Sequence, residues 1–325
     1  MSASDPKVRH HQVLAEEAGQ RIDNFLLRQL KGVPRSRIYR LLRRGEVRVD
    51  GGRARPTRRL STGEVVRIPP VSGQRQPAEV ASGGLPDGLE ARLRDGVLYE
   101  DERLLILDKP SGLAVHGGST VRVGLVEAIR GIRPDLPFVE LVHRLDQETS
   151  GCLMLAKRRS TLRRLHEQLR QGKVEKHYAA LLAGRVRGVM PVRVDAPLER
   201  LPGAPRDRQV RVSKQGRAAV TEFRPVQRWV RATLVTARLE TGRTHQIRVH
   251  ARHIGHPVAG DERYGDRAAN AALRECGLRR LFLHASSLRF QHPDSGEPLC
   301  IEAPLGDELQ AVLERLSQSQ DEESA

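Results

Sequence analysis

The sequence predicts an α+β protein in two parts. A small N-terminal αβ domain spans residues 19–70, a linker covers 71–95, and a mixed, largely antiparallel β-sheet domain with flanking helices and a central cleft spans 96–310. Three observations carry this reading. Helical spacing of apolar residues is confined to short segments. Strand-like runs recur at 97–99, 104–107, 178–182, 218–223 and 233–239. A stretch holding Pro77, Gly83, Gly84, Pro86 and Gly88 separates a strongly basic front from a nearly balanced remainder.

The elements follow in order. Residues 1–18 read as a loose polar lead. Ile22, Phe25, Leu26 and Leu30 recur at helical spacing, and Pro34-Arg35-Ser36 opens a second helix that Gly45 closes. Its inner stripe is Ile38, Leu41 and Leu42, which leaves Arg35, Arg37, Arg40, Arg43 and Arg44 on accessible surface. Val47-Arg48-Val49 alternates, Asp50-Gly51-Gly52 turns, and Val65-Val66-Arg67-Ile68 makes a short strand that Pro69-Pro70 stops. In the larger domain Asp108-Lys109-Pro110-Ser111-Gly112 forms a turn, and Ser160 is placed to cap a helix carrying Leu162, Leu165 and Leu169 towards Gly172. Residues 311–325 read as a polar tail, disordered from 317 onwards.

Charge narrows the function. The chain carries a net +16, and residues 1–75 hold 17 Lys or Arg against 7 Asp or Glu, so most of the excess lies at one end. Such a block is an electrostatic footprint for a polyanion, and guanidinium forks suit phosphates. Cys152, Cys276 and Cys300 are odd in number and lack Cys-x-x-Cys spacing, which supports neither a disulfide framework nor a zinc ribbon. Residues 1–12 lack an apolar leader core, and no stretch approaches the ~18 apolar residues of a membrane span. A cytoplasmic protein without membrane contact is expected.

The most informative segment is His143-Arg144-Leu145-Asp146-Gln147-Glu148-Thr149-Ser150-Gly151, a polar turn between apolar runs at 138–142 and 152–156. It displays Asp146 on a rigid scaffold, as a catalytic aspartate requires, although an aspartate there also serves as a plain turn cap. His-Arg-Leu-Asp followed by Thr-Ser-Gly resembles the signature of RluA-type pseudouridine synthases. Residues 19–70 resemble the small RNA-binding domain first recognised in ribosomal small-subunit protein four. That second likeness rests on the Pro-Arg-Ser helix start, Gly45-Glu46-Val47-Arg48-Val49 and Leu60-Ser61-Thr62-Gly63-Glu64.

The resemblance implies a chemistry and a site. Uridine and pseudouridine have the same atoms, so the reaction needs no cofactor, metal or second substrate; it needs a group acting at C1′ and a pocket that retains uracil. Asp146 is implied as that group, either as nucleophile or as the base that removes the C2′ proton. Arg248 ends Gly242-Arg243-Thr244-His245-Gln246-Ile247-Arg248, similar to the family motif whose last arginine pairs with the aspartate, and Thr244 is placed to cap the helix. Tyr178 matches the family tyrosine that sits against the base and handles its C5 proton, and Leu283 the apolar floor. Arg144, Arg243 and Lys109 are expected around the cleft, and Arg35, Arg37, Arg40, Arg43, Arg44 and Arg48 on the face that grips RNA backbone.

Three further segments resemble family members that act at three uridines of 23S rRNA: Gly19-Gln20-Arg21-Ile22-Asp23-Asn24-Phe25-Leu26, Gly32-Val33-Pro34 and Arg67-Ile68-Pro69-Pro70. The expected partner is therefore 23S rRNA or a large-subunit assembly intermediate, and the default oligomeric state is a monomer. Other large-subunit sites or tRNA, a non-catalytic ribosome-assembly factor, and a base-releasing hydrolase are the alternatives. His245, His250, His253 and His256 crowd one segment but show no His-Glu-x-x-His pattern, so no metal is expected. Residues 117–124 lack the Lys and Ser/Thr of a phosphate loop.

Overall fold

The computed structural model describes residues 8–30, 33, 35–71, 85–86, 88–115, 124–188, 191–201 and 209–324, with backbone alone at 35, 36 and 320–324. The chain divides into two compact units, Met1–Gly84 and Leu85–Ala325.

In the first unit, α1 (Ile22–Gln29) and α2 (Arg35–Arg44) bury Ile22, Phe25, Leu26, Ile38, Leu41 and Leu42 in one apolar cluster. The helical spacing put all six on inward faces. Gly45 ends α2 at φ +69°, a conformation that side chains resist. Four strands, β1 (Arg9–Gln12), β2 (Arg48–Val49), β3 (Gly52–Arg53) and β4 (Val65–Ile68), form a sheet in the order β1-β4-β2-β3. β1 corrects the expected loose lead. Its Arg-His-His-Gln sequence has no apolar alternation because it is an exposed edge, paired only with β4.

The second unit is built on one large sheet. Its elements are α3 (Leu89–Asp95), β5 (Val97–Glu100), β6 (Leu104–Lys109), α4 (Leu125–Ile132), β7 (Glu140–Leu141), β8 (Ser150–Ala156), α5 (Arg159–Arg170), β9 (Glu175–Ala183) and β10 (Val192–Asp195). They continue with β11 (Leu198–Arg200), β12 (Val210–Val212), β13 (Val220–Arg228), β14 (Ala232–Leu239), α6 (Gln246–His253), α7 (Arg267–Glu275), β15 (Leu283–Gln291), β16 (Pro298–Glu302) and α8 (Asp307–Ser324). The strand order is β10-β13-β14-β9-β15-β8-β6-β5, with β16 beside β15 and β7 beside β8; β11 and β12 pair separately. Among the described strands only β15 and β8 run parallel. The largely antiparallel, mixed α+β architecture matches the sequence expectation.

Three local readings are corrected. The stretch read as linker holds α3, whose Leu89 and Leu93 are buried; two leucines in a polar, Gly-flanked run are a weak signal. The stretch read as disordered from 317 onwards continues α8 as far as Ser324; earlier in that helix Leu309, Val312 and Leu316 recur at helical spacing and pack into a cluster with Trp229, Leu273 and Phe282. α5 starts at Arg159 with Arg158 as N-cap, so Ser160 lies inside its first turn.

β8 positions the site. Every residue of Ser150-Gly151-Cys152-Leu153-Met154-Leu155-Ala156 is buried, because the strand is central and covered on both faces. Its first residues lie against β15, with Ser150 opposite His284 and Gly151 opposite Ala285. Gly151 takes φ +104°, and a Cβ there would stand 2.3 Å from the Ala285 carbonyl oxygen, so no other residue fits without moving a strand. His284 Nε2 faces the Ala303 carbonyl at 3.1 Å and must donate, so Nδ1 accepts from the Ser150 hydroxyl at 2.9 Å.

Candidate active site

Asp146 lies in the turn that feeds β8, and that turn is fastened from behind. The Thr149 amide donates to the Asp146 carbonyl, and the Gly112 amide donates to the Gln147 carbonyl. Lys109, fully buried, donates from Nζ to the carbonyls of Pro110, Leu113 and Gln147 at 2.9, 2.9 and 3.0 Å. Three acceptors match the three protons of an ammonium, while burial pulls its pKa down to about 7. Ser111 Oγ adds a bond to the Glu148 carbonyl. The two turns thus form one rigid unit that leaves the Asp146 carboxylate free to face outward.

The carboxylate meets the start of α6. Arg248 Nη1 stands 3.5 Å from Asp146 Oδ2, but the stronger partner of Arg248 is Asp261. Its Nε and Nη2 donate to the two oxygens of Asp261 at 2.7 and 2.8 Å, a bidentate pair in which both side chains are buried. Burial alone would raise the pKa of Asp261, yet hydrogen bonds from Arg248 and from the amides of Arg263 and Tyr264 hold it below the usual carboxylate range. Arg248 is driven well above its ordinary value against the opposing effect of burial, so it is a fixed cation.

His245, the N-cap of α6, sits at φ +54°, ψ +21°, a left-handed conformation that costs a non-glycine residue about 1 kcal/mol. The Thr244 cap expected from the sequence is not made: no side chain caps this helix. Gln246 takes over local fastening. Its Oε1 accepts from Thr241 Oγ1 and the Arg243 amide, and its Nε2 donates to the Val220 carbonyl and Thr221 Oγ1. His245 Nδ1 lies 2.8 Å from the hydroxyl of Tyr264, and Nε2 lies 3.9 Å from Asp146 Oδ2. The ring of Tyr264 also backs the Arg248 guanidinium at 5.1 Å.

Around these groups lies a cleft of about 330 Å³, lined among others by His143, Arg144, Asp146, Tyr178, Arg243 and Leu283. It lies within the size range of small-ligand pockets. Tyr178 is buried, and burial together with the nearby Asp146 charge pushes its phenol up, so it stays protonated. His143 is desolvated to a pKa of about 4 and stays neutral, accepting from the Met154 amide through Nε2 at 3.2 Å. A more polar hollow of about 560 Å³ shares Arg144, Asp146, His245 and Arg248 and adds Arg200, Gln209, Glu262 and Arg263.

Residues 103–253 match the family model described as RNA pseudouridylate synthase, and residues 20–66 match the S4 domain. The ribosomal large subunit pseudouridine synthase C of Yersinia pestis is 50% identical over 313 residues, covering 96% of this chain and 97% of that protein. That of Haemophilus influenzae is 50% identical over 306 residues, 94% of each. The chain belongs to the RNA pseudouridylate synthase family. The solved structure of human RNA pseudouridylate synthase domain containing 4 is 26% identical, with a TM-score of 0.57 over 70% of this chain and 95% of that one.

In this synthase the structure gathers Asp146, Arg248, Tyr178, Leu283, Arg144 and Arg243 around one cleft. Arg144 is exposed, whereas Arg243 is partly tethered through Nε to the Ala218 carbonyl. Lys109 is the correction. It contacts no open surface, because all its donors are spent on the carbonyls that lock the Asp146 turn. In the separate N-terminal unit, Arg40, Arg43, Arg44 and Arg48 are exposed and Arg37 half-buried; the side chain of Arg35 lies outside the described residues.

Sequence reasoning missed Asp261 and Tyr264, and set His245 aside with its neighbours. One signal was available: an arginine on the inner face of a helix needs a carboxylate, and Asp261 in Gly260-Asp261-Glu262-Arg263-Tyr264-Gly265 is in the turn that follows. His250 is buried with Nε2 on the Ala196 carbonyl and Nδ1 on Thr221 Oγ1, and no group of three ligating side chains occurs among the described residues. Residues 116–123, in the glycine-containing loop, are outside the described residues. Among the described residues no helix is long and apolar enough to cross a membrane, and the three cysteines are free.

Proposed function

We propose that this synthase isomerises uridine to pseudouridine at discrete sites of large-subunit ribosomal RNA, three in 23S rRNA, with Asp146 as the group that acts at C1′. The observation that carries the role of Asp146 is its placement: a partly exposed carboxylate on a fastened turn, 3.5 Å from an arginine that Asp261 holds rigid. The names and near-complete overlap of the bacterial relatives support the choice of RNA. The basic N-terminal unit supports it independently.

The chemistry balances without an added group. The C1′–N1 bond breaks, the uracil turns within the cleft, a C1′–C5 bond forms, C5 releases its proton to water and N1 takes one from water. Arg248 sets its positive charge 3.5 Å from the Asp146 carboxylate, whether that carboxylate attacks C1′ or removes the C2′ proton. Tyr178, held as a neutral phenol, contributes a surface against the base rather than a standing base for the C5 proton. Leu283 supplies apolar floor and Arg144 and Arg243 polar rim. Extracting a stacked uridine costs a few kcal/mol, which phosphate contacts from the exposed arginines of the N-terminal unit offset. The enzyme acts in the cytoplasm as a monomer, on 23S rRNA or an assembly intermediate.

Chemical mapping of pseudouridine in large-subunit rRNA from cells lacking the protein tests this reading. Discrete sites should vanish and return with the native chain. An unchanged rRNA map would contradict the substrate and direct the search to tRNA.

A further inference from the structure

Tyr264 and His245 have a geometry that the reaction scheme above leaves unused. Tyr264 is buried, and its hydroxyl oxygen accepts the Val210 amide at 3.0 Å. The hydroxyl proton needs an acceptor of its own, and His245 Nδ1, at 2.8 Å, is the one in reach among the described hydrogen bonds. Tyr264 therefore donates to Nδ1, and a neutral imidazole must then carry its proton on Nε2. Nε2 is the atom that faces Asp146 Oδ2 at 3.9 Å.

The backbone points the same way. His245 takes a left-handed conformation at the first step of α6 where a glycine would be unstrained, and makes no side-chain cap in return. Strain of this kind persists where the surroundings fix a side chain in a particular place. The charged and titratable groups around His245 are Asp146, Arg248, Asp261, Arg263 and Tyr264. Burial is the largest influence and keeps the ring neutral, against the pull of Asp146.

We infer that His245 is a positioning residue for the reacting carboxylate, held by Tyr264 in the tautomer that aims its Nε2–H at Asp146. Arg248 then fixes one side of the carboxylate by charge, and His245 supplies a neutral donor that closes to hydrogen-bond distance when the nucleotide enters. Such bonds are commonly long in the empty site and tighten in the complex. The inference rests on the reading of Asp146 as the reacting group.

Two measurements test it. In the full-length protein labelled with 15N-histidine, the ring nitrogens of His245, assigned by their loss in His245→Asn, should show Nε2 protonated and Nδ1 bare at neutral pH. A proton on Nδ1 would overturn the inference, and this readout needs neither turnover nor a folded variant of Tyr264. The second follows tritium release from 23S rRNA transcripts carrying 5-3H-uridine. Asparagine tolerates the left-handed backbone but cannot reach Asp146, so His245→Asn should lower kcat about tenfold with KM within about twofold.

Tyr264→Phe should lower kcat less, and the double variant should fall no further than His245→Asn alone. Native kcat in His245→Asn, a loss confined to KM, or multiplying losses in the double variant would each refute the positioning role. Failure of the underlying reading is distinguishable, because an active Asp146→Asn would remove the role of Asp146 while leaving the tautomer of His245 as assigned.

Discussion

Replacing Asp261 by asparagine tests how the cleft is held, because the structure dictates what the amide can and cannot keep. Oδ1 accepts three donors, from Arg248 Nη2 at 2.8 Å and from the amides of Arg263 and Tyr264 at 2.9 Å each. Oδ2 accepts one, from Arg248 Nε at 2.7 Å. An asparagine at 261 keeps most bonds by placing its oxygen at the Oδ1 position, which sets its NH2 against the Nε–H of Arg248, donor against donor. One charge-assisted bond is lost, worth about 1.5–3 kcal/mol.

Arg248 is also left buried without its main counter-charge, a situation that costs about 3–5 kcal/mol when nothing else compensates. Asp146 at 3.5 Å compensates in part, so we expect a loss of about 3 kcal/mol. For a unit of this length that is a fall of about 6–12 °C in Tm. Thermal unfolding followed by circular dichroism reads it, and tritium release from 5-3H-uridine RNA should fall at least about tenfold as Arg248 leaves its place. A Tm within about 2 °C of the native value, with native turnover, would refute the claim that Asp261 anchors Arg248.

Other outcomes follow from the same structure. Lys109→Met strips the donor from three inward carbonyls, so it should cost about 3 kcal/mol and lower kcat while leaving the salt dependence of RNA binding unchanged; a weaker salt slope with native stability would restore a surface role for this lysine. Gly151→Ala sets a Cβ 2.3 Å from a backbone oxygen at positive φ, so β8 and β15 must part; a Tm lowered by less than about 2 °C would show that the parallel pair is not so tight. His143 titrates near 4 when folded and 6.5 when unfolded. Between those values the unfolded chain binds the extra proton, so stability is flat above pH 6.5 and falls as pH drops towards 4, by on the order of 3 kcal/mol from this group. Urea unfolding at pH 7.5, 6 and 5 reads the slope, and a flat profile would contradict it.

How much was legible depended on whether a residue's role is local. The stripes of α1 and α2, the turn at Gly45 and the buried run of β8 are written in apolar spacing and glycine placement, and they appear where spacing put them. The edge strand β1 and the helix α3 were missed because one is polar throughout and the other carries only two inward leucines. The end of α8 was missed because its last residues are polar, although Val312 and Leu316 continue the stripe.

At the site, the family resemblance, not spacing, pointed to Asp146, Arg248, Tyr178 and Leu283, which line one cleft from four separate segments. Spacing says nothing about which atoms point inward, so Lys109 was expected among the cations around the cleft when it is a buried fastener. Asp261 and Tyr264 stayed hidden because their importance arises only when the turn after α6 folds back onto Arg248 and His245.

The most direct test of the central claim is turnover by Asp146→Asn, which keeps the shape of the side chain and removes its charge. Tritium release from 5-3H-uridine 23S rRNA should fall at least about a thousandfold while the unfolding transition stays native-like. Release within tenfold of native by a folded Asp146→Asn protein would contradict the account, because the group placed at C1′ would then not be the one that acts there.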